Sequence, residues 1–203
     1  VTVLDPSEAA PAQPGWDALA SAARGCVACP ELVATRTNVV PGVRPAGADV
    51  LLVGEAPGAQ EDESGMPFVG KAGQLLDGLL AEAGLPRERV AVANVLKCRP
   101  PKNRKPTRPE VARCRPWLHR QIELADPVLV VTLGGTAAEW VLKPGVRIGE
   151  VRFSDVYYAG RRVLCTYHPS AAIRFGPKGQ PMAALREDLA RAAALAAELR
   201  AGR

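Results

Sequence analysis

A three-layer α/β/α fold around a central four-stranded, mostly parallel sheet is predicted by two features of this sequence. Short runs rich in Val and Leu alternate with segments of helical apolar spacing, and turn-forming Gly, Pro and Asp residues stand between them. Strands that alternate with helices at close spacing form a parallel sheet covered on both faces, because each crossover returns with the same hand.

Asp49 to Val53 is a short apolar run ended by Gly54, the pattern of a buried strand. Lys71 to Ala83 carries Leu75, Leu76, Leu79, Leu80 and Ala83 at helical spacing and is stopped by Gly84 and Pro86. Arg89 to Leu96 reads as a second strand. Thr107 to Leu124 reads as a helix, with Thr107 as N-cap and Pro109 and Glu110 in the first turn. Asp126-Pro127 breaks it, Val128 to Leu133 gives the third strand, and Gly134-Gly135 leads into a helix from about Thr136 to Leu142. Val146 to Tyr158 alternates enough to be extended, with a turn at Ala159-Gly160, and Arg162 to Thr166 is the fourth core strand. The Ala/Leu pattern from Met182 to Leu199 makes a terminal helix. In such folds a ligand sits beyond the carboxyl ends of the strands. Gly54 to Gly58, Asn94 and the residues after it, and His168-Pro169-Ser170 fall there.

The 203 residues suit one full-sized domain. Residues 1–15, rich in Ala and Pro, read as a loose leader, and 16–203 as the single domain. With 47% apolar and 23% charged residues, the composition is that of a soluble globular protein. No run is long and apolar enough to span a membrane, and residues 1–15 lack the basic and apolar regions of a secretory signal. A cytoplasmic monomer is expected. In that reducing compartment, cysteines are metal ligands or core residues rather than disulfide partners.

The net charge of +5 is unevenly spread. Between Lys97 and Arg120 there are nine Lys or Arg residues against one acid, Glu110, a bias that suits a phosphate-facing surface. Cys26 and Cys29 form a CxxC, and Cys98 and Cys114 lie within or beside the basic block. Four such cysteines fit a tetrahedral thiolate site, and both zinc and an iron–sulfur cluster accept four thiolates. Cys165, inside Val163-Leu164-Cys165, is a core residue.

The loop Gly54-Glu55-Ala56-Pro57-Gly58 can expose backbone N–H groups to a ligand, but no Gly-Lys-Ser/Thr follows to make it a phosphate-binding Walker loop. The carboxylate cluster that a metal-dependent nucleotide hydrolase needs is also missing. Phe68, held between turn formers in Pro67-Phe68-Val69-Gly70, suits either a core contact or a stacking platform for a planar ring.

Gly54-Glu55-Ala56-Pro57-Gly58, Glu61-Asp62, Pro67 to Gly73, Asn94 to Pro101 and His168-Pro169-Ser170 occur in an order that resembles the family 4 uracil-DNA glycosylases, from about Cys26 to Arg174. The resemblance implies a [4Fe–4S] cluster on Cys26, Cys29, Cys98 and Cys114, and uracil-containing DNA, single- or double-stranded, as substrate, with free uracil as product. It implies that Phe68 stacks on the extruded base and that the Asn94 amide reads the uracil edge. His168, with the loop N–H groups around Glu55 and Ala56, would stabilise the departing anionic base. The best-known uracil-DNA glycosylases carry an aspartate where this chain has Ala56, so Glu61 and Glu55 are the candidate carboxylates. Where relatives place a wedging Leu after the His-Pro-Ser motif, this chain has Ala171 and Ala172, then Ile173 and Arg174, so the wedge is either weakened or supplied by Ile173, and single strands are the expected preference. Lys71, Arg99, Lys102, Arg104, Lys105, Ser170, Ile173 and Arg174 form the expected DNA-binding set. Without a histidine between Cys98 and Cys114, turnover is expected rather than covalent trapping of the sugar. A non-catalytic module that binds uracil or single-stranded DNA is the alternative from another class.

Overall fold

A computed structural model describes residues 5–202. In chain order the elements begin with α1 (Pro6–Ala9), α2 (Trp16–Arg24), α3 (Pro30–Val33), β1 (Val50–Gly54), α4 (Ala59–Ser64), α5 (Lys71–Glu82) and β2 (Val90–Asn94). They continue with α6 (Arg108–Ala125), β3 (Leu129–Leu133), α7 (Gly135–Val141), α8 (Ile148–Val151), β4 (Val156–Tyr158), β5 (Arg161–Thr166), α9 (Pro169–Phe175) and α10 (Gln180–Ala201).

The sheet has five strands in the order β2-β1-β3-β5-β4, one more than the sequence suggests. The four apolar runs are mutually parallel, and β4 adds an antiparallel edge on β5. The stretch 146–158 was expected to be extended throughout, but it divides into α8 and β4. Only Val156–Tyr158 is paired, and three residues are too few to show a strand period in the sequence. Ala159 and Gly160, both at positive φ (48° and 74°), close the β4–β5 hairpin as a two-residue turn with left-handed backbone requires.

Strand residues alternate between two apolar layers. Leu52, Val92, Val131 and Leu164 face α5 and α10, whereas Leu51, Ala93, Val130 and Val163 face α6 and α7. A strand buried on both faces needs apolar side chains throughout, which is why β1 reads as an unbroken Val/Leu run. Truncating Leu52 to Ala would cost about 2–5 kcal/mol, as for other fully buried leucines. Cys165 is 1% exposed and belongs to this core.

A third cluster lies outside the sheet. Leu19, Ala23, Leu32, Leu96 and Trp117 pack there with the four remaining cysteines. Residues 1–4 of the expected leader lie outside the described residues. Within the rest, Ala10 is fully buried in this cluster and the Gln13 carbonyl accepts two hydrogen bonds from Arg120 (2.8 and 3.3 Å). Helix α6 starts where expected: Thr107 and Glu110 cap each other's backbone N–H groups at 3.4 and 2.8 Å. No helix among the described residues is long and apolar enough to cross a membrane.

Candidate active site and thiol chamber

Sheet order reverses between β1 and β3, and at such a point the connections leave in opposite directions and open a crevice. A cavity of about 330 Å³ lies there, lined by Glu55, Ala56, Glu61, Phe68, Asn94 and His168. These are the six residues expected to bind or transform the base. Arg104 and Ser170, from the expected DNA-binding set, also reach its wall, whereas Lys71, Arg99, Lys102, Lys105, Ile173 and Arg174 do not line it.

Parallel pairing sets Gly54 of β1 beside Asn94 of β2. The ladder runs one step further, with Val95 N–H donating to the Gly54 carbonyl (2.9 Å) and Leu96 N–H to that of Glu55 (3.0 Å). Gly54 is required by close approach: a Cβ there would collide with Asn94 Oδ1 and come within 2.5 Å of Phe68 Cζ. Gly73 is likewise pressed against the Phe68 backbone from α5. Phe68 is 6% exposed and sits at φ 55°, a left-handed conformation costly for a bulky residue and held here by its surroundings. Its ring faces the His168 ring at 5.8 Å and 33°.

Asn94 is 2% exposed, and among the described residues its Oδ1 has no hydrogen-bond partner. A buried acceptor left unpaired is costly, and such groups in native folds call for an explanation. Asn94 is one of the residues that line the cavity, and its Oδ1 lies against Gly54.

His168 caps α9. Its Nδ1 accepts the Ser170 N–H (3.1 Å) and lies 2.8 Å from Ser170 Oγ. A backbone N–H can only donate, so in the neutral ring the proton sits on Nε2. Burial pulls the imidazole pKa down to about 4, against a smaller opposing pull from Glu61. The ring is therefore a neutral Nε2–H donor near pH 7.

The two candidate carboxylates have different surroundings. Glu61 Oε1 accepts from Val69 N–H (2.9 Å) and Gly70 N–H (2.8 Å), and Oε2 from Gly58 N–H (3.1 Å). It staples the Gly-Glu-Ala-Pro-Gly loop to the Phe68 loop. Glu55 has one side-chain partner among the described residues, Thr136 Oγ1 at 2.5 Å. Sequence reasoning passed over Thr136. Its one signal is its place just after Gly134-Gly135, at the carboxyl end of β3.

The basic block is only partly a free cationic surface. Arg104 is a two-pronged partner of Glu110 (2.6 and 2.9 Å), which drags that carboxyl down to about 2. Lys105 pairs with Glu139 (3.5 Å), and Arg115 lies over the Trp140 ring at 4.4 Å. Lys97 is buried, 2% exposed, donating to the Asn94 carbonyl (2.6 Å) and Gln121 Oε1 (2.5 Å).

Cys26, Cys29, Cys98 and Cys114 line one chamber with Arg36, Lys97 and Trp117. All four thiols are free. Arg36 donates to Cys98 Sγ (3.0 Å) and to the Cys26 carbonyl (2.7 Å). Burial pushes the Cys114 thiol up to about 12 and raises those of Cys98 and Cys29. Such thiols become thiolates only against a compensating positive centre. The indole Nε1 of Trp117 is buried and has no partner. Four sulfur donors around one chamber are the donor set of a tetrahedral thiolate site, which zinc and an iron–sulfur cluster both accept. Among the described residues, no three His, Cys, Asp or Glu side chains converge as a single-ion site would require.

The sequence signature of the Uracil DNA glycosylase superfamily matches residues 41–190. The chain is 46% identical to a type-4 uracil-DNA glycosylase of Thermotoga maritima, over 73% of this chain and 78% of that protein. It is 45% identical to the type-4 enzyme of Archaeoglobus fulgidus, with the same two coverages. A type-5 uracil-DNA glycosylase of Thermus thermophilus is 35% identical, over 71% of this chain and 82% of that protein.

Proposed function

This chain belongs to the uracil DNA glycosylase superfamily, and we propose that it is a monofunctional uracil-DNA glycosylase, hydrolysing the N-glycosidic bond of deoxyuridine extruded from DNA and leaving an abasic site for repair. The observation that carries this is the unpaired, buried Asn94 Oδ1 in a cavity shared with Phe68 and His168. Uracil offers an N3–H donor beside the O4 acceptor, whereas cytosine offers an acceptor beside a donor. Asn94 Oδ1 and Nδ2 match the first pattern and oppose the second. Phe68 supplies the ring on which the flat base stacks.

As the C1′–N1 bond breaks, its electron pair goes to the base, which leaves as a uracil anion, and positive charge builds on the sugar. Neutral His168 donates Nε2–H to the anionic O2, and a donor that is already neutral and already oriented costs no reorganisation. Glu55, oriented by Thr136, holds its carboxylate for the sugar cation and accepts a proton from the water that attacks C1′. Glu61 positions the two loops through their amides. Ala56 contributes backbone only.

Cys26, Cys29, Cys98 and Cys114 would hold the [4Fe–4S] cluster, a polarisable, redox-capable centre that here ties the α2–α3 region to the loop after Asn94. Exposed Lys71, Lys102, Lys105, Ser170 and Arg174, with half-buried Arg99, contact the strand around the cavity, and Arg104 stands at its wall. Ile173, 45% exposed on α9, enters the stack in place of the base. Equal rates on single strands and on a U:A duplex would contradict a weakened wedge.

Incubation with a uracil-containing oligonucleotide, followed by alkali, tests the proposal. A break at the uracil position is expected. Retention of the oligonucleotide without a break would indicate the binding module instead.

A further inference from the structure

Lys97 carries a positive charge into the protein interior and shares it with no carboxylate. Its two acceptors, the Asn94 carbonyl and Gln121 Oε1, are both neutral. Its side chain forms part of the thiol chamber wall, together with Cys98 and Cys114. Burying an ammonium costs several kcal/mol unless an anion answers it. Four thiolates around an iron–sulfur core provide that anion, since their combined charge exceeds that of the core.

The same ammonium reaches the uracil reader. The carbonyl it holds belongs to Asn94, three residues before it, and Gln121 is itself fixed through Nε2 to the Pro41 carbonyl (2.7 Å). Val40 N–H donates to the Lys97 carbonyl (2.7 Å). Lys97 thus stands where the end of β2, helix α6 and the 39–43 segment meet.

We infer that Lys97 is a positioning residue that couples the two sites: it counters the charge of the cluster and, through the Asn94 carbonyl, sets the amide that reads uracil. The cluster's contribution to base recognition passes through this side chain. The inference rests on the cluster assignment made above and extends it to a residue that is neither a ligand nor in contact with the base.

Two variants of the full-length, cluster-loaded protein separate the halves of the coupling. Lys97→Met removes both charge and hydrogen bond. Gln121→Glu keeps an acceptor for Lys97 beside the Asn94 carbonyl and gives the ammonium a carboxylate partner in competition with the cluster, while losing the hydrogen bond to the Pro41 carbonyl. The readouts are the reduction potential of the cluster and inhibition by free uracil.

Lys97→Met is expected to make the cluster harder to reduce, by about tenfold in the reduced-to-oxidised ratio at fixed potential, or about 59 mV for one electron. It should also weaken uracil inhibition about tenfold, as loss of a hydrogen bond to a charged group does. Gln121→Glu is expected to lower the potential while uracil inhibition stays at the wild-type value. A purely structural role would not produce that split. If Lys97→Met fails to fold, Gln121→Glu alone decides: an unchanged potential overturns the coupling. Loaded Lys97→Met protein with wild-type potential, or with wild-type uracil inhibition, overturns it as well. Iron-free, colourless wild-type protein would overturn the cluster assignment and this inference together, a failure distinct from the others.

Discussion

The cavity at the strand ends and the thiol chamber lie only a few residues apart along the chain, from Asn94 to Cys98, yet they are built on opposite principles. The cavity draws its groups from the carboxyl ends of β1, β2 and β5 and from the Phe68 loop. Asn94 Oδ1 lacks a partner, and His168 turns its Nδ1 into the α9 cap so that Nε2–H remains to donate. The chamber lies off the sheet, between short helices and α6, and burial raises the Cys29, Cys98 and Cys114 thiols above their ordinary pKa. A sheet edge fixes groups to the accuracy a base-reading site needs, because register leaves them no slack. Helices and loops that do not share a ladder need a cross-link to hold them, and four ligands to one centre are such a link.

The largest effect should come from disturbing the open acceptor. Asn94→Ala is expected to lower kcat/KM on uracil-containing DNA by ~10²–10³-fold, comparable to loss of a preorganised donor or acceptor in other active sites. The cluster absorbance should stay as in the wild type, because the Asn94 carbonyl is kept.

Gly54→Ala should cost somewhat less, about 10²-fold in kcat/KM, because its methyl group would press on the ends of Asn94 and Phe68 rather than on backbone. Circular dichroism and thermal unfolding should show a folded protein, which separates a filled cavity from a broken sheet.

Cys114→Ser addresses the other region. It should abolish the visible absorption of the cluster and lower Tm, with activity on a short single strand falling by about tenfold. Retention of both colour and Tm would mean that Cys114 is an ordinary buried thiol.

The smallest signal is a titration. Because burial lowers the His168 pKa to about 4, its folded form stays neutral while the unfolded chain takes up a proton near pH 6.5. The unfolded state therefore binds more protons between these values. The His168 contribution to stability is fully present above the unfolded pKa and is lost as pH falls towards about 4. NMR should find the His168 ring signals constant from about pH 7 to about pH 5, moving only nearer pH 4. A midpoint near 6.5 would contradict the buried, neutral donor.

These contrasts also explain what the sequence could and could not reveal. Asn94 and His168 stand out because each is a polar residue at the end of an apolar strand run, and Phe68 because it is an aromatic held between turn formers. Cys165 was legible for the converse reason, being embedded in an apolar run. The strand β4 was hidden because three residues carry no period, and α8 because the pairs Val146/Ile148 and Val151/Phe153 on either side of it alternate as in a strand. Glu61 and Glu55 look alike in sequence; only the fold gives one three loop amides and the other a threonine hydroxyl. Lys97 was the hardest to place. In a block of nine cations its composition says surface, and only the chamber beside Cys98 and Cys114 turns it inward. A charge run records which residues are present, not which of them the fold draws into the interior.

The central claim is that the cavity excises uracil and rejects cytosine through the Asn94 amide. The most direct measurement follows release of free base by chromatography from two matched strands, one with a single deoxyuridine and one with deoxycytidine at the same position. Free uracil should appear in step with abasic sites from the first strand, with no base released from the second. Equal release from both strands, or release from neither by loaded protein, would contradict it.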